Sequence, residues 1–406
     1  MSVADISPES LLLLVYAGTL LVAVLMSAAA HRTVLSTAVL FLGVGVLLGE
    51  GSLGVISLQP DDDIVLILAQ LALFAVLFTD GMRVGWRQLT SAWRLPGRAL
   101  VLGMPLTLVI TAALAWLLTD LTVVECLLLG AVLAPTDPVF AAALVGNEKV
   151  PLRLRQMLNV ESGLNDGLAL PFVILLLEIA SGEELLIGTL VLELVAGVVI
   201  GFAVPALALG LERSRWFASS GEYVAITGVA IALLVFGACE LTGANLFLAA
   251  FTAGITVASL GPREAEAFGE IGEIVAELLK LAALLVFGLL ISPPFLAEIP
   301  LSGWFFAVLA LLVARPLALW ISFLGAHLSG REQAAAMWFG PKGFASVVYG
   351  LLVLESGISA ADELFHLIAL TITLSILAHS STDVLVARQF DEPAEVPVWT
   401  EPEVDS

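Results

Sequence analysis

The sequence predicts an all-α polytopic membrane protein with about 13 transmembrane helices, arranged as two inverted six-helix repeats. The chain has 406 residues, of which 60% are hydrophobic, and its mean hydropathy is +1.05. Apolar runs of about twenty residues, long enough to cross a bilayer, recur along nearly its whole length. Two of these runs are interrupted by proline, and these two interruptions lie seven helices apart. Composition, run length and paired interruptions together indicate the fold class.

The apolar runs place the helices in chain order. Their approximate spans are 10–30, 33–49, 63–82, 97–118, 123–145, 152–179, 184–211, 220–240, 243–259, 271–292, 300–325, 333–355 and 361–387. Residues 1–389 are therefore expected to form one integral membrane domain. The Pro- and Glu-rich segment 390–406 is expected to be a short, acidic, disordered cytoplasmic tail.

The basic residues give the orientation of these helices. With the N-terminus outside, all the odd-numbered loops face the cytoplasm, and together with the start of the tail they hold 13 of the 16 Lys and Arg residues. These are Arg32, Arg83, Arg87, Arg94, Arg98, Lys149, Arg153, Arg155, Arg213, Arg215, Arg263, Arg331 and Arg388. The even-numbered loops hold none, as the positive-inside rule requires. A multi-pass protein of the cell membrane follows, with its N-terminus outside and its C-terminus in the cytoplasm.

The interruptions are Ala134-Pro135-Thr136-Asp137-Pro138 in the fifth helix and Gly340-Pro341-Lys342-Gly343 in the twelfth. Proline removes a backbone donor and clashes with the preceding turn, so each helix should unwind there. Unwound backbone at membrane depth is tolerated where protein or a water-filled cavity receives it. If the seventh helix is a linker, each six-helix repeat has its fifth helix broken. Such paired breaks indicate the binding site of a transporter.

A polar cluster lies inside the sixth apolar run, in Asn159-Val160-Glu161-Ser162-Gly163-Leu164-Asn165-Asp166. Helical spacing puts Ser162 and Asp166 on one face and Glu161 and Asn165 on the neighbouring face. Ionisable side chains are costly in a bilayer and mark ion or proton pathways there. A hydroxyl and a carboxylate on one face are hard oxygen ligands that suit a small cation.

Thr136-Asp137-Pro138 together with Glu161-Ser162-Gly163-Leu164-Asn165-Asp166 resembles the cation:proton antiporter superfamily, in its NhaP-like sodium/proton exchanger branch. The resemblance covers essentially the whole membrane region. It implies that the broken fifth and twelfth helices cross near mid-membrane, with Asp166 as the transport carboxylate. Ser162 and the Thr136 backbone would be co-ligands of Na⁺, and Asn165 and Asp137 would brace the crossing.

Asp80 fits a position in the third helix at which members of this family often carry an acid. It lies near the expected cytoplasmic end of that helix. Three roles remain open for its carboxylate: a Na⁺ ligand, a charge in the entrance funnel, or a solvated helix end.

Glu161 needs a basic partner, because a buried carboxylate without one would protonate. Arg315, in the middle of the eleventh helix, is the favoured partner. Lys342 at the twelfth-helix break is the alternative, and it departs from the arginine that the family commonly has there. Lys280, in the tenth helix, is expected to reach out to the cytoplasmic interface along its apolar stem.

The function implied by the resemblance is exchange of a monovalent cation, Na⁺ and with it Li⁺, for protons by alternating access, without a cofactor. Asn165 stands where antiporters of this superfamily that move net charge have a first aspartate. Because an amide cannot exchange a proton, we predict electroneutral one-for-one exchange at Asp166. K⁺/H⁺ exchange is the alternative within the same fold. A homodimer is also expected from the resemblance.

Other classes fit the sequence less well. A formal net charge of −21 argues against nucleic-acid binding. An intramembrane aspartyl protease needs a Gly-x-Gly-Asp signature that is absent here, and no stretch resembles a channel selectivity filter. An organic-anion symporter of similar inverted-repeat architecture is the closest competing class, but a site rich in aspartate suits a cation. Cys126 and Cys239 form no metal motif and are expected to pack as apolar side chains.

Overall fold

The computed structural model describes residues 8–30, 37–59, 62–83, 94–137, 149–182, 187–214, 223–291 and 293–390. Within these ranges the regular structure is helical, so the all-α prediction is confirmed. The helices are α1 (Pro8–Ala30), α2 (Thr37–Leu48), α3 (Asp63–Arg83), α4 (94–118), α5 (Val123–Leu133), α6 (Leu152–Ser181), α7 (Ile187–Glu212), α8 (Tyr223–Thr242), α9 (Leu246–Leu260), α10 (Pro262–Leu290), α11 (Leu301–Ser322), α12a (Gly330–Trp338), α12b (Phe344–Glu355) and α13 (Ala361–Arg388). One further short helix, Pro293–Glu298, precedes α11.

Each expected span overlaps a helix of the structure, and the twelfth overlaps two, α12a and α12b, on either side of the predicted break. Larger differences occur at the ends of two spans. α10 begins at Pro262 rather than near residue 271, because its first turns are amphipathic and an apolar-run rule does not detect them. α5 ends at Leu133, and the rest of its expected span, 138–145, lies outside the described residues. The expected tail also lies outside them, except for Phe390.

Seven helices within the described residues are long and apolar enough to cross a membrane. The surfaces of α1 and α7 are rich in exposed leucine and valine, as is expected for helices that face lipid tails. The middle of α6 and almost all of α12b are buried inside the bundle. The chain is a polytopic membrane protein whose polar cluster faces protein rather than lipid.

Several local features recur seven helices apart. α4 and α11 each contain a π-helical turn, Ala99–Gly103 and Ala310–Ala314, and a proline follows each turn by two residues. α5 and α12a each begin with a capping box, formed by Thr122 with Glu125 and by Ser329 with Glu332. These correspondences agree with two repeats linked through α7.

The packing brings the two interrupted helices to the centre of the bundle. α12b contacts α3, α5, α6, α10 and α13, and α10 packs against α2 and α3. Cys126 and Cys239 are both buried and free. The helices that carry the polar cluster, the two breaks and Lys280 therefore meet in one region.

Candidate ion-binding site

The breaks of α5 and α12 lie directly against each other. The Asp137 backbone N–H donates to the Pro341 carbonyl at 3.0 Å, and the Phe344 N–H at the start of α12b donates to Asp137 Oδ2 at 3.4 Å. A Cβ at Gly343 would overlap the Asp137 side chain, so only glycine permits this approach. The crossing thus uses backbone groups that proline has freed from helical hydrogen bonds.

The polar cluster of α6 binds the same break of α5. Asn165 Nδ2 donates to Thr136 Oγ1 at 2.7 Å, and the Thr136 and Ser162 hydroxyls lie 3.4 Å apart. The Tyr349 hydroxyl of α12b donates to the Asp166 carbonyl at 2.7 Å. Hydrogen bonds therefore hold the Asp166 backbone, while its carboxylate accepts none from the part of the chain that the structure describes.

Asp166 lines a narrow cavity of about 60 Å³ together with Asp80, Asp137 and Lys280. Arg83, Glu273 and Glu277 also line it, and the two glutamates are partly exposed. The structure thus brings three of the candidate aspartates to one cavity. Thr136, Ser162 and Asn165 form the hydrogen-bonded chain near it but do not line it.

Asp80 is buried in the wall of this cavity rather than solvated at a helix end. Its side chain is 13% exposed, and its Oδ1 accepts from Arg83 at 3.1 Å. Arg83 also contacts Glu273 of α10, which joins α3 to α10 at the cavity entrance. The carboxylate of Asp80 is consequently already paired with a base.

Lys280 corrects the expectation drawn from the sequence. It does not reach the interface: it is only 7% exposed, and its Nζ lies 3.8 Å from Asp137 Oδ2 and 3.4 Å from Glu277. Eighteen residues of α10 separate it from Pro262, a distance of about 27 Å along the helix axis. Lys280 is buried because α10 packs against α2, α3 and α12b and brings its side chain beside Asp137.

Glu161 is paired with Arg315. The guanidinium donates to both carboxylate oxygens, Nη1 to Oε1 at 2.6 Å and Nη2 to Oε2 at 3.0 Å. Nη2 also donates to the carbonyl of Phe339 at 3.1 Å. Phe339 is the first residue after α12a. A Cβ at Gly340 would overlap the guanidinium, so Arg315 lies tightly against the break.

Lys342 does not contact Glu161 and instead fixes the break through its backbone. Its N–H donates to Ser375 Oγ at 2.7 Å, and its buried Nζ has no hydrogen-bond partner among the described residues. Ser375 also contacts His379, whose Nε2 lies 3.0 Å from the Trp338 carbonyl at the end of α12a. α13 therefore binds both the break, at Lys342, and the end of α12a, at Trp338.

Sequence reasoning missed Tyr349, Ser375 and His379. Ser375 and His379 are polar, four residues apart, and lie on one face of an apolar helix, which is a signal the sequence did contain. Tyr349 gave no comparable signal, because a single tyrosine in an apolar run is ordinary. Within the described residues, no group of three or more Asp, Glu, His or Cys side chains is arranged to hold a metal ion.

A family model described as "Sodium/hydrogen exchanger, transmembrane" matches residues 19–388 of the chain. Among curated proteins, the chain is 27% identical over 376 residues to the K(+)/H(+) antiporter NhaP2 of Shewanella sp. (strain ANA-3) and 26% identical over 353 residues to the K(+)/H(+) antiporter NhaP of Alkalimonas amylolytica. These matches cover 90% and 86% of this chain but only 65% and 61% of the relatives' length.

Among solved structures, the fold is similar to that of the sodium proton antiporter MjNhaP1 from Methanocaldococcus jannaschii at pH 8. The TM-score is 0.78 at 18% sequence identity, and the match covers 94% of this chain and 98% of that one. An electron-microscopy structure of the same antiporter gives a TM-score of 0.72. The resemblance in fold thus extends over nearly the whole membrane region.

Proposed function

Because the chain belongs to the sodium/hydrogen exchanger family, we propose that it exchanges a monovalent cation for protons across the membrane, with Asp166 as the carboxylate that binds each in turn. The observation that carries this proposal is the placement of Asp166 in a narrow cavity beside the crossing of two broken helices. Its carboxylate is buried and accepts no hydrogen bond from the described residues. The family is one of secondary transporters and not of enzymes.

Competition at one carboxylate gives the exchange. Burial disfavours an isolated negative charge, so the Asp166 carboxylate is stabilised by binding either a proton or a cation. Because one monovalent charge is enough to neutralise it, the two ligands compete. Alternating access then requires that the two ligands leave on opposite sides. Asp166 thereby couples the movement of the cation to that of the proton.

The charges around the cavity support a one-for-one exchange. Asp80 has Arg83 at 3.1 Å, and Asp137 has Lys280 at 3.8 Å. Of the three aspartates in the cavity, Asp166 alone therefore has no paired base among the residues that the structure describes. One Na⁺ or one proton neutralises it, and the cycle carries no net charge.

The oxygen atoms near Asp166 suit a cation. Asn165 Oδ1 is buried without a hydrogen-bond partner among the described residues, while the Thr136 and Ser162 hydroxyls lie 3.4 Å apart beside it. Hydroxyl, amide and carboxylate oxygens are the ligands that hard cations prefer. We propose Asp166, Ser162 and Thr136 as Na⁺ ligands, with Asp80 at the entrance and Asn165 and Asp137 bracing the crossing.

Na⁺, with Li⁺, is the proposed cation, and K⁺ is the second candidate. Curated relatives that match most of this chain are named K(+)/H(+) antiporters, whereas the matched structure is named a sodium proton antiporter. An organic anion fits poorly, because the cavity is lined by five carboxylates and only two bases. The base-rich loops support a cytoplasmic C-terminus, and a homodimer remains a prediction.

Everted membrane vesicles test this function. After acidification of the lumen, the expected result is proton efflux, reported by a pH-sensitive dye, on addition of NaCl and LiCl. A larger response to KCl at equal concentration would assign K⁺ instead. Absence of a response to all three salts, with an organic-anion salt producing one, would contradict the proposal. Vesicles that lack the protein are the control.

A further inference from the structure

A large open pocket lies outside the ion-binding site, at the end of the bundle where α4 and α6 begin. We call it the basic pocket. It has a volume of about 800 Å³ and is lined by the polar side chains of Arg98, Arg153 and His327 and by the apolar side chains of Leu95, Val101 and Leu102. The connection between α11 and α12a closes it through Gly325, Ala326 and Leu328.

The polar side of the basic pocket concentrates positive charge. A second pocket of about 740 Å³ shares Arg153 with it and adds Lys149, Arg331 and Glu332. Across the two pockets, four Lys and Arg side chains face one acid among the described lining residues. The whole chain shows the reverse, with 16 bases against 37 acids. This region is therefore suited to an anion.

The basic side chains of the pocket have protein partners but remain exposed to a ligand. Arg153 donates to both Glu332 oxygens, at 2.6 and 2.5 Å, yet its side chain is 53% exposed. Arg98 Nη2 donates to the Leu324 carbonyl at 3.1 Å, and the exposed His327 has a left-handed backbone with φ of 52°. Arg98 and Arg153 each keep donors that these bonds do not use, since a guanidinium has five.

Part of the lining is apolar and belongs to a helix that is long and apolar enough to cross a membrane. Val101 and Leu102 expose 56% and 48% of their surface, and they lie in the first turns of the spanning segment that begins at Leu95. α6, the other helix that begins at the pocket, is also a spanning segment. Because two spanning helices begin at the pocket, we expect it to lie at the level of the lipid headgroups, where its basic side chains stand beside an acyl-compatible surface.

We propose that the basic pocket binds an anionic phospholipid, with its phosphate between Arg98 and Arg153 and an acyl chain along Val101 and Leu102. Basic pockets between membrane helices on the cytoplasmic side bind anionic lipid headgroups. The positive-inside rule accounts for bases in loops, but it does not account for a cavity with an apolar wall. The Arg213 guanidinium, in another basic loop, simply binds the Leu260 carbonyl.

Such a lipid would contact the helices that form the transport site. α6 carries Asp166, and α12a leads into the crossing, so a bound headgroup would join the ends of these two helices through Arg153 and its partner Glu332. The site is distinct from the ion cavity, whose lining shares no residue with it.

Native mass spectrometry of the detergent-purified full chain tests the proposal. The protein is mixed with phosphatidylglycerol, with phosphatidylcholine or with inorganic phosphate. Retention of phosphatidylglycerol should exceed that of phosphatidylcholine. Arg98→Gln should lower it about five-fold, the effect expected for one base near an anionic headgroup. Ala326→Trp, which fills the cavity without changing any charge, should lower it as well.

Arg263→Gln is the matched control, because it removes an exposed base from the first turn of α10, away from the pocket. Equal loss in this control and in Arg98→Gln would show that net charge, and not the pocket, retains the lipid. Unchanged retention in Ala326→Trp would also overturn the proposal, provided that its melting temperature matches that of the wild type. If it does not, Leu102→Trp replaces it. Displacement of phosphatidylglycerol by millimolar phosphate would assign the pocket to a free anion.

Discussion

Replacing Glu161 with Gln should destabilise the protein by about 3–5 kcal/mol, because it leaves the buried Arg315 guanidinium without its anion. The two side chains are 3% and 5% exposed and share two hydrogen bonds of 2.6 and 3.0 Å. Arg315→Met should lower the free energy of unfolding by a similar amount. It leaves the carboxylate unpaired and also removes the donor to the Phe339 carbonyl, a loss of about 1–3 kcal/mol by itself.

The double variant should lose less free energy of unfolding than the two single variants lose together. Once both charges are absent, no uncompensated ion is left in the interior, so we expect a coupling energy of about 2–3 kcal/mol. Equilibrium unfolding of the purified protein in detergent, followed by tryptophan fluorescence, measures the three variants. Glu240→Gln removes an exposed carboxylate and should change the free energy of unfolding by less than about 0.5 kcal/mol.

Additive effects, within about 0.5 kcal/mol, would refute the pairing of Glu161 and Arg315. A loss for Glu161→Gln as small as that of the exposed control would refute it too. Loss of transport without loss of stability would instead assign the pair a direct role in ion movement.

Three further predictions concern the crossing and its surroundings. Lys280→Gln should slow exchange in liposomes by leaving Asp137 without its base, while the rate stays independent of an imposed membrane potential. Gly343→Ala should abolish exchange while circular dichroism shows unchanged helix content, because the added Cβ overlaps Asp137 and forces the broken helices apart. Arg153→Gln should lower the free energy of unfolding by about 1–3 kcal/mol, because Glu332 is buried and loses two charge-assisted hydrogen bonds.

A matched control accompanies the glycine substitution, and a separate result would contradict each line of reasoning. Gly210→Ala adds a methyl group where nothing lies within 4 Å, so normal exchange is expected there. Normal exchange in Gly343→Ala would show that the crossing tolerates separation. A wild-type rate that follows the membrane potential would contradict one-for-one exchange. An Arg153→Gln protein as stable as wild type would show that the ion pair is dispensable.

The sequence predicted the helices and the polar residues of the site because both signals are local. Apolar runs of the right length give the spans, and Asn165 and Asp166 stand out because polar groups are costly inside such a run. Pro135 and Pro341 likewise marked the breaks, since proline acts on its own turn. What a residue does to its own helix can be inferred without the rest of the fold.

Contacts between helices could not be predicted in this way. The burial of Lys280 depends on which helices α10 packs against, namely α2, α3 and α12b, and hydropathy does not reveal this. The sequence favoured Arg315 over Lys342 as the partner of Glu161, but only the packing of α11 beside the break shows the ion pair itself. The roles of Ser375 and His379 depend on how α13 packs against the break and the end of α12a, which the sequence alone does not show.

Asp166→Asn in reconstituted liposomes tests the central claim most directly. Sodium-driven proton movement should be lost, while membrane insertion and melting temperature stay at the wild-type values, because an amide can bind neither a proton nor the charge of a cation. Glu178→Gln removes an exposed carboxylate from the far end of the same helix and should keep full exchange. Wild-type exchange by a well-folded Asp166→Asn protein would contradict the assignment of Asp166 as the transport carboxylate.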